Sequence, residues 1–471
     1  MNTIIILSVL IVLGVGIYFL RKKSNKGVTK PEPIPEPPVI VKPKIFHIEI
    51  PDNAEDKTLL IREQLSKIPD GVEIVKHQKT YKVAKSIVGK KFTDSTFKSL
   101  GELKVVPNHV IFPKGEFWTE GDLENNPRGI NSVFKIENRH NLIISGHGKE
   151  TVFYTKAPAT PYGGNVTKGD YSLRRHFKFL FCSNIVLENI TIKGSNSIKG
   201  SLLGTAPEYT PIFWKGGKDN GSIADSPGYT KYWEQEHGVE LYSCEDVLIN
   251  NISVSDVWGD GFYIAGDSKL PSRNITISNS TFKYTGRQGG AASHVDGLLI
   301  DNVFIDRGRR SDLDFEPHKP ELYVRNVEVK NSKFYSVGTV IAALGRGDVS
   351  NIYFHDNEYQ RGALVNCWDS SGAFRRSNWR IENNIRTGSF SSTVSPIGFK
   401  KTDGIKILNN TESIEPDQGR NVASFINCGG NIEVSGNDFN HGKYMLLIDT
   451  ESVKTENNTP ELIPYKYGEK P

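Results

Sequence analysis

The chain reads as all-β, a parallel β-helix solenoid of about eleven coils, on three observations. A nine-residue phrase returns along the chain, it alternates apolar with polar residues, and its sixth position is usually Asn. Asn184-Ile-Val-Leu-Glu-Asn-Ile-Thr-Ile recurs from Asp246 and Asn274, then from Gly297, Asn326, Asn351, Asn378, Gly404, Asn431 and Ser452, with a weaker copy at Asn141. From Asp246 onward the starts lie 28, 23, 29, 25, 27, 26, 27 and 21 residues apart. A unit this short cannot bury its apolar face alone and must stack on copies of itself. The alternation (Ile275, Ile277; Leu298, Ile300; Val327, Val329; Ile432, Val434) is that of a strand with one buried face. The Asn column (Asn189, Asn251, Asn279, Asn302, Asn331, Asn383, Asn409, Asn457) suits a tight corner, because Asn tolerates left-handed backbone and bonds its neighbours. The pattern of a leucine-rich repeat is not present, nor is the four-strand unit of a propeller.

The elements follow in order. Residues 1–26 hold an uncharged apolar run, 4–20, and a basic flank of Arg21, Lys22, Lys23 and Lys26. Seventeen residues is about the shortest length that spans a bilayer, so a single uncleaved transmembrane helix is expected. The flank would place the body on the cytoplasmic side. Residues 27–44 are rich in Pro and form an extended spacer. Residues 45–138 carry a cap and the first strands: Asp56 to Ile68 has helical spacing and stops at Pro69-Asp-Gly, suited to closing the open end of the solenoid. The coils occupy 139–460 and a tail 461–471 follows.

Composition narrows the function classes. The 471 residues carry a net charge of +4 and 37% hydrophobic residues, with no basic arm interleaved with aromatics, so no nucleic-acid partner is expected. Three of the four cysteines (Cys182, Cys244, Cys428) keep phase with the coils and read as small core residues rather than a disulfide framework.

One phase of successive coils concentrates the chemistry. The stretches start at Arg175, His237, Asp260, Gln288 and Ser311, with Phe177, Val239, Phe262, Leu313 and Phe315 facing inward. One outer column then reads Lys178, Glu240, Tyr263, Ala291, Asp314, and a second His176, Gly238, Gly261, Gly289, Asp312. Asp312, Asp314 and Glu316 alternate, which puts carboxylates on one face about 6.5–7 Å apart. That spacing suits an inverting glycosidase pair, and crowding raises the pKa of at least one acid. With Asp260 these form the candidate acid cluster. The same acids are a candidate Ca²⁺ site, in which case Arg287, Lys178 or His237 would act as the base of an elimination on an acidic polysaccharide. A long insertion between Gly194 and Trp233 brings Trp214, Tyr232 and Trp233, whose faces suit sugar rings, so it is the expected binding wall.

The cap followed by Pro69-Asp-Gly, the segment Phe112-Pro-Lys-Gly-Glu-Phe117, and the Asn-rich coils resemble the pectate lyase-like superfamily of right-handed β-helices over roughly residues 45–460. Arg287-Gln-Gly, followed a coil later by Asp312-Leu-Asp-Phe-Glu-Pro, is similar to motifs of bacterial and phage β-helix proteins. The resemblance implies right-handed coils, a glycan partner, and either a hydrolase or lyase or a phage tailspike-like binding protein; by the tailspike analogy it also implies a homotrimer. Two functions are therefore expected: a membrane-tethered enzyme that cleaves a polysaccharide, or a non-enzymatic glycan-binding spike of a virus whose membrane lies beneath its capsid.

Overall fold

The computed structural model describes residues 44–53, 55–77, 80–83, 103–119, 132–155, 175–194, 236–308, 310–335, 339–360, 363–368, 375–388, 395–412, 420–440 and 442–469. The apolar run 4–20, most of the spacer, and Trp214, Tyr232 and Trp233 lie outside them. No helix among the described residues is long and apolar enough to cross a membrane.

The body, Lys42–Pro471, is a stack of parallel coils. One face is a sheet of twelve strands, running in space from Ser132–Glu137 through Arg175–Leu180, His237–Tyr242, Phe262–Ala265, Gly290–Ala292 and Leu313–Phe315 to Ile463–Lys466. Twelve strands here stand against the eleven coils expected. A sheet of 21 strands forms the rest of the wall, most coils giving it a long strand and a short one, such as Ser272–Ser278 and Thr281–Lys283. Every pairing between coils is parallel and almost all are in strict register. A small antiparallel sheet of Thr80–Val83, Val72–His77 and Leu103–Val106 precedes the coils.

The corners explain why the phrase repeats. Each of the eight Asn residues at the sixth position has φ between 49° and 57°, the left-handed region that most side chains avoid. The phrase starts are left-handed too: Asn184, Asp246, Asn274, Asn326, Asn351 and Asn378 have φ of 51° to 58°, and Gly297, Gly404 and Gly430 take the place of Asn. Their amides bond coil to coil, as in Asn251 Nδ2 to Asn189 Oδ1 at 2.7 Å and Asn351 Nδ2 to Asn326 Oδ1 at 3.0 Å.

A second ladder lies inside. Asn357, Asn384, Asn410, Asn437 and Asn458 each follow a corner residue, and all but Asn458 are almost fully buried. Asn384 shows the pattern: its Oδ1 accepts from the amide N–H and the Nδ2 of Asn357, and its Nδ2 donates to Phe354 O at 3.1 Å and Asn410 Oδ1 at 2.9 Å. Around it the core is Ile, Val, Leu and Phe, with tilted and edge-to-face aromatic contacts such as Phe134–Phe177 at 4.8 Å and Trp379–Phe399 at 5.4 Å. All four cysteines are buried.

The expected cap is the helix Thr58–Lys67. The Asp56 carboxylate accepts from the Thr58 amide at 2.9 Å, Ile61 is fully buried, and Arg62 Nε donates to Val133 O at 2.7 Å on the first strand of the twelve. The helix stops before Pro69, whose ring excludes helical backbone at Ile68.

Replacing one rung of the inner ladder leaves buried backbone groups without partners, a cost on the order of 1–3 kcal/mol. Asn384→Ala is therefore expected to lower the urea midpoint clearly. Asn331→Gly, at an exposed corner where glycine accepts the same φ, is expected to shift it much less. Equal losses in the two variants would rule out the buried ladder as the stronger constraint.

Candidate functional site

The register of the first column holds, joining Lys178 to Glu240, Glu240 to Tyr263, Tyr263 to Ala291, and Ala291 to Asp314, but Lys178, Glu240, Ala291 and Asp314 are buried rather than open to solvent as expected. It continues through Ala342, Asn366 and Gly398. The second column does not face solvent. His176 and Asp312 are 0% exposed, and a Cβ on Gly238, Gly261 or Gly289 would meet the core side chains of Val254, Phe282 and Ile305. Gly261, Gly289 and Asp312 sit at the bend before their strands, which start only at Phe262, Gly290 and Leu313, so alternation does not yet apply there, whereas His176 and Gly238 are buried as the second residues of their strands. Asp312, Asp314 and Glu316 consequently do not share one face. Among the described residues no three acidic, His or Cys side chains converge as metal ligands would.

At the N-terminal end of the column, Glu240 accepts from Lys178 Nζ at 2.9 Å and from Arg175 Nε. All three are buried. Burial pushes the Glu240 pKa up, but Arg175 and Lys178 outweigh it and hold the carboxyl below its usual range. Burial lowers the Lys178 ammonium, against the pull of Glu240.

Asp260 is the hub one coil on. It is fully buried, its Oδ1 accepts from the Gln288 amide at 3.1 Å, and Arg287 Nη1 lies 3.3 Å from its Oδ2. Its own amide donates to His237 Nδ1 at 3.0 Å, which leaves that nitrogen unprotonated. Burial, reinforced by Arg175, Arg287 and Lys178, keeps the imidazole well below its usual pKa, so it is neutral. The ring stacks on Tyr263 at 4.9 Å, whose hydroxyl is pushed up to about 12 by burial and donates to Ser293 Oγ at 3.2 Å.

Asp314 differs from the other acids. It is 5% exposed and stands between two alanines, Ala291 and Ala342. Gln288 Nε2 donates to its Oδ2 at 2.7 Å, while Oδ1 has no hydrogen-bond partner among the described residues. Burial first, then the nearby Glu316 carboxylate, pushes its pKa up to about 8. The proton therefore belongs on Oδ1. Glu316, two residues along, has a side chain 36% exposed, and His318 beside it is exposed and reaches to 3.4 Å from the Tyr263 hydroxyl. The two carboxyls are thus unlike: one is dry and protonated, the other wet.

Of the residues expected in the site, Asp260, His237, Arg287, Asp314, Glu316, Lys178, Glu240 and Tyr263 lie on one run of coils, and Asp312 is turned inward. Arg175, Gln288, Ser293 and His318 belong to the same network and were not singled out as site residues in the sequence. Gln288 opens its coil in the same phase as Asp260, which is the signal that could have found it. A groove of about 490 Å³ lies elsewhere, among Tyr323, Arg325, Asp348, Ser350, Arg375 and Ser377. Its guanidiniums are paired with Asp348 and Asp403.

Known proteins resemble the chain mainly in architecture. A stretch of 252 residues, 50% of this chain, is 23% identical to the SPbeta prophage-derived uncharacterized protein YorA of Bacillus subtilis (strain 168), and spans only 38% of that relative's length. Among solved structures, PfbA, a surface adhesin of Streptococcus pneumoniae, is 12% identical, with 91% of this chain and 95% of that one covered at a TM-score of 0.49. The A-module of the mannuronan C-5 epimerase AlgE4 of Azotobacter vinelandii is also 12% identical, with 78% and 90% covered at 0.45. Residues 228–385 match the family model described as right handed beta helix region, in agreement with the parallel coils seen along the body.

Proposed function

We propose that the protein cleaves a polysaccharide by hydrolysis, with Asp314 as general acid and Glu316 as the base that activates water. The observation that carries this reading is the Asp314 carboxyl: protonated up to about pH 8, held on one oxygen by Gln288, and without a partner on the other. Asp314 Oδ1 gives its proton to the glycosidic oxygen as the bond to the anomeric carbon breaks. Water adds its hydroxide to that carbon and its proton goes to Glu316. Two residues along an extended strand separate the carboxyls by about 6.5–7 Å, the range of inverting pairs. Hydrolysis is favoured over elimination because the candidate bases are engaged: Lys178 with Glu240, Arg287 with Asp260, and His237 Nδ1 with the Asp260 amide.

A second reading, a glycan-binding phage or viral spike without turnover, draws on the prophage origin of the relative matched over half the chain. In either case we place the body on a membrane through residues 4–20.

Soluble protein lacking residues 1–44 is expected to release reducing ends from some polysaccharide in a screen run with and without Ca²⁺. Asp314→Asn should lower the rate by about 10²–10⁴-fold, the usual contribution of a general acid. Full activity in that variant would remove Asp314 from the chemistry. Intact binding with no product from the wild type on any glycan would favour the spike.

The same carboxyl makes a stability prediction. Its pKa is raised in the fold, so between about pH 4, where the unfolded chain releases this proton, and about pH 8 the folded state alone keeps it. Its contribution to stability falls as pH rises through that window. Asp314→Asn should flatten the fall, seen as a smaller drop in Tm from pH 5 to pH 8 than in the wild type; parallel curves would contradict a buried neutral acid.

A further inference from the structure

The outer row that carries Glu316 continues past it. The Glu316 amide donates to Ala292 O and the Trp368 amide to Ala343 O, both at 2.9 Å, and these bonds set the row as Ser293, Glu316, Leu344, Trp368, Lys400. Leu344 is 36% exposed and Trp368 49%, neighbours in space on a wall whose other outer positions are mostly small or polar. Single exposed apolar side chains are ordinary, but two abutting ones in line with an acid pair are the composition of a ligand groove. The Lys400 ammonium lies 4.7 Å from the centre of the indole and forms no ion pair among the described residues.

The platform is also fixed from beneath. Arg376 is fully buried, and its guanidinium donates to Gly345 O at 2.8 Å and to Ala343 O, with Cys367 Sγ 3.5 Å from Nη1. It therefore grips the backbone on both sides of Leu344 and the residue before Trp368. A buried charge spent on two carbonyls holds these exposed side chains in place.

We propose that Leu344, Trp368 and Lys400 form a distal subsite for an anionic sugar unit, so that the glycan runs along the solenoid axis away from Glu316. The inference rests on the glycan-cleaving reading of Asp314. Stacked coils are about 4.8 Å apart, so Trp368 stands roughly 10 Å from Glu316, about the length of a disaccharide. The indole takes the apolar C–H face of the ring and Lys400 its carboxylate. A neutral glycan uses the stacking and gains nothing from the cation.

Binding can be separated from turnover by titrating Asp314→Asn protein calorimetrically with polygalacturonate, alginate, hyaluronan and neutral dextran. Binding to at least one of the three anionic polymers is expected. Adding Trp368→Ala should weaken it about ten-fold, with Trp368→Phe recovering part of the loss. Adding Lys400→Gln should weaken that polymer alone and flatten its salt dependence. Affinity unmoved by Trp368→Ala in a protein of unchanged Tm overturns the subsite, as does equal weakening of dextran and anionic polymer by Lys400→Gln, or binding to none of the three. Trp368-dependent binding together with no cleavage by the wild type keeps the subsite and overturns the hydrolase.

Discussion

Everything in the body depends on the left-handed corner. A coil of this length closes only if the chain turns sharply at fixed places, and two such turns in most coils fall on Asn, Asp or Gly at φ near 50–86°. Because the corner recurs in phase, each coil starts its next strand at the same height and angle. Register then follows, and with it the stacking of chemically unlike side chains in straight rows. The Asn amides make this a joint constraint: the residue that accepts the backbone angle also bonds the next coil. A slip of one residue would turn every apolar side chain outward, and the corners forbid it.

On that frame, the charged network is possible only because its members satisfy one another. Glu240 takes both Arg175 and Lys178 out of water, and Asp260 takes Arg287 and the Gln288 amide. A buried charge without such partners would cost several kcal/mol. Asp314 bonds no cation among the described residues and meets this cost in another way, by keeping its proton. The contrast between Asp260 and Asp314 is one of neighbours, not of depth, since both are buried. Gln288 joins them, giving its amide N–H to one and its side chain to the other.

How much of this was legible follows from where alternation holds. The column Lys178, Glu240, Tyr263, Ala291, Asp314 was readable because each member lies mid-strand, where period two dictates direction. Asp312 was misread as outward because it sits at the bend, where successive residues can both turn in, and His176 because at the first residues of its strand both neighbours are buried as well. The inner ladder escaped notice although doublets such as Asn383-Asn384 and Asn409-Asn410 are plain in the sequence, because only the first Asn was given a role. The contact of Arg175 with Glu240 spans 65 positions and an insertion, so only the folded register could supply it. Trp368 was passed over because its coil has no matched charge, although it holds the phase of Glu316.

The rows also give the outer face a direction. It begins in paired cations and carboxylates at Lys178 and Glu240, passes a neutral acid flanked by alanines at Asp314, and ends in exposed apolar surface at Trp368 with the Lys400 ammonium over its ring. Each step of this sequence is a whole number of coils, so its length is set by the spacing between strands rather than by loop conformation. A polymer lying along the face meets these environments in a fixed order and at fixed separations. The small residues matter here as much as the charged ones: within their column, Ala291 and Ala342 flank Asp314 on the levels before and after it. A larger residue at either position would stand between that carboxyl and anything running parallel to the axis.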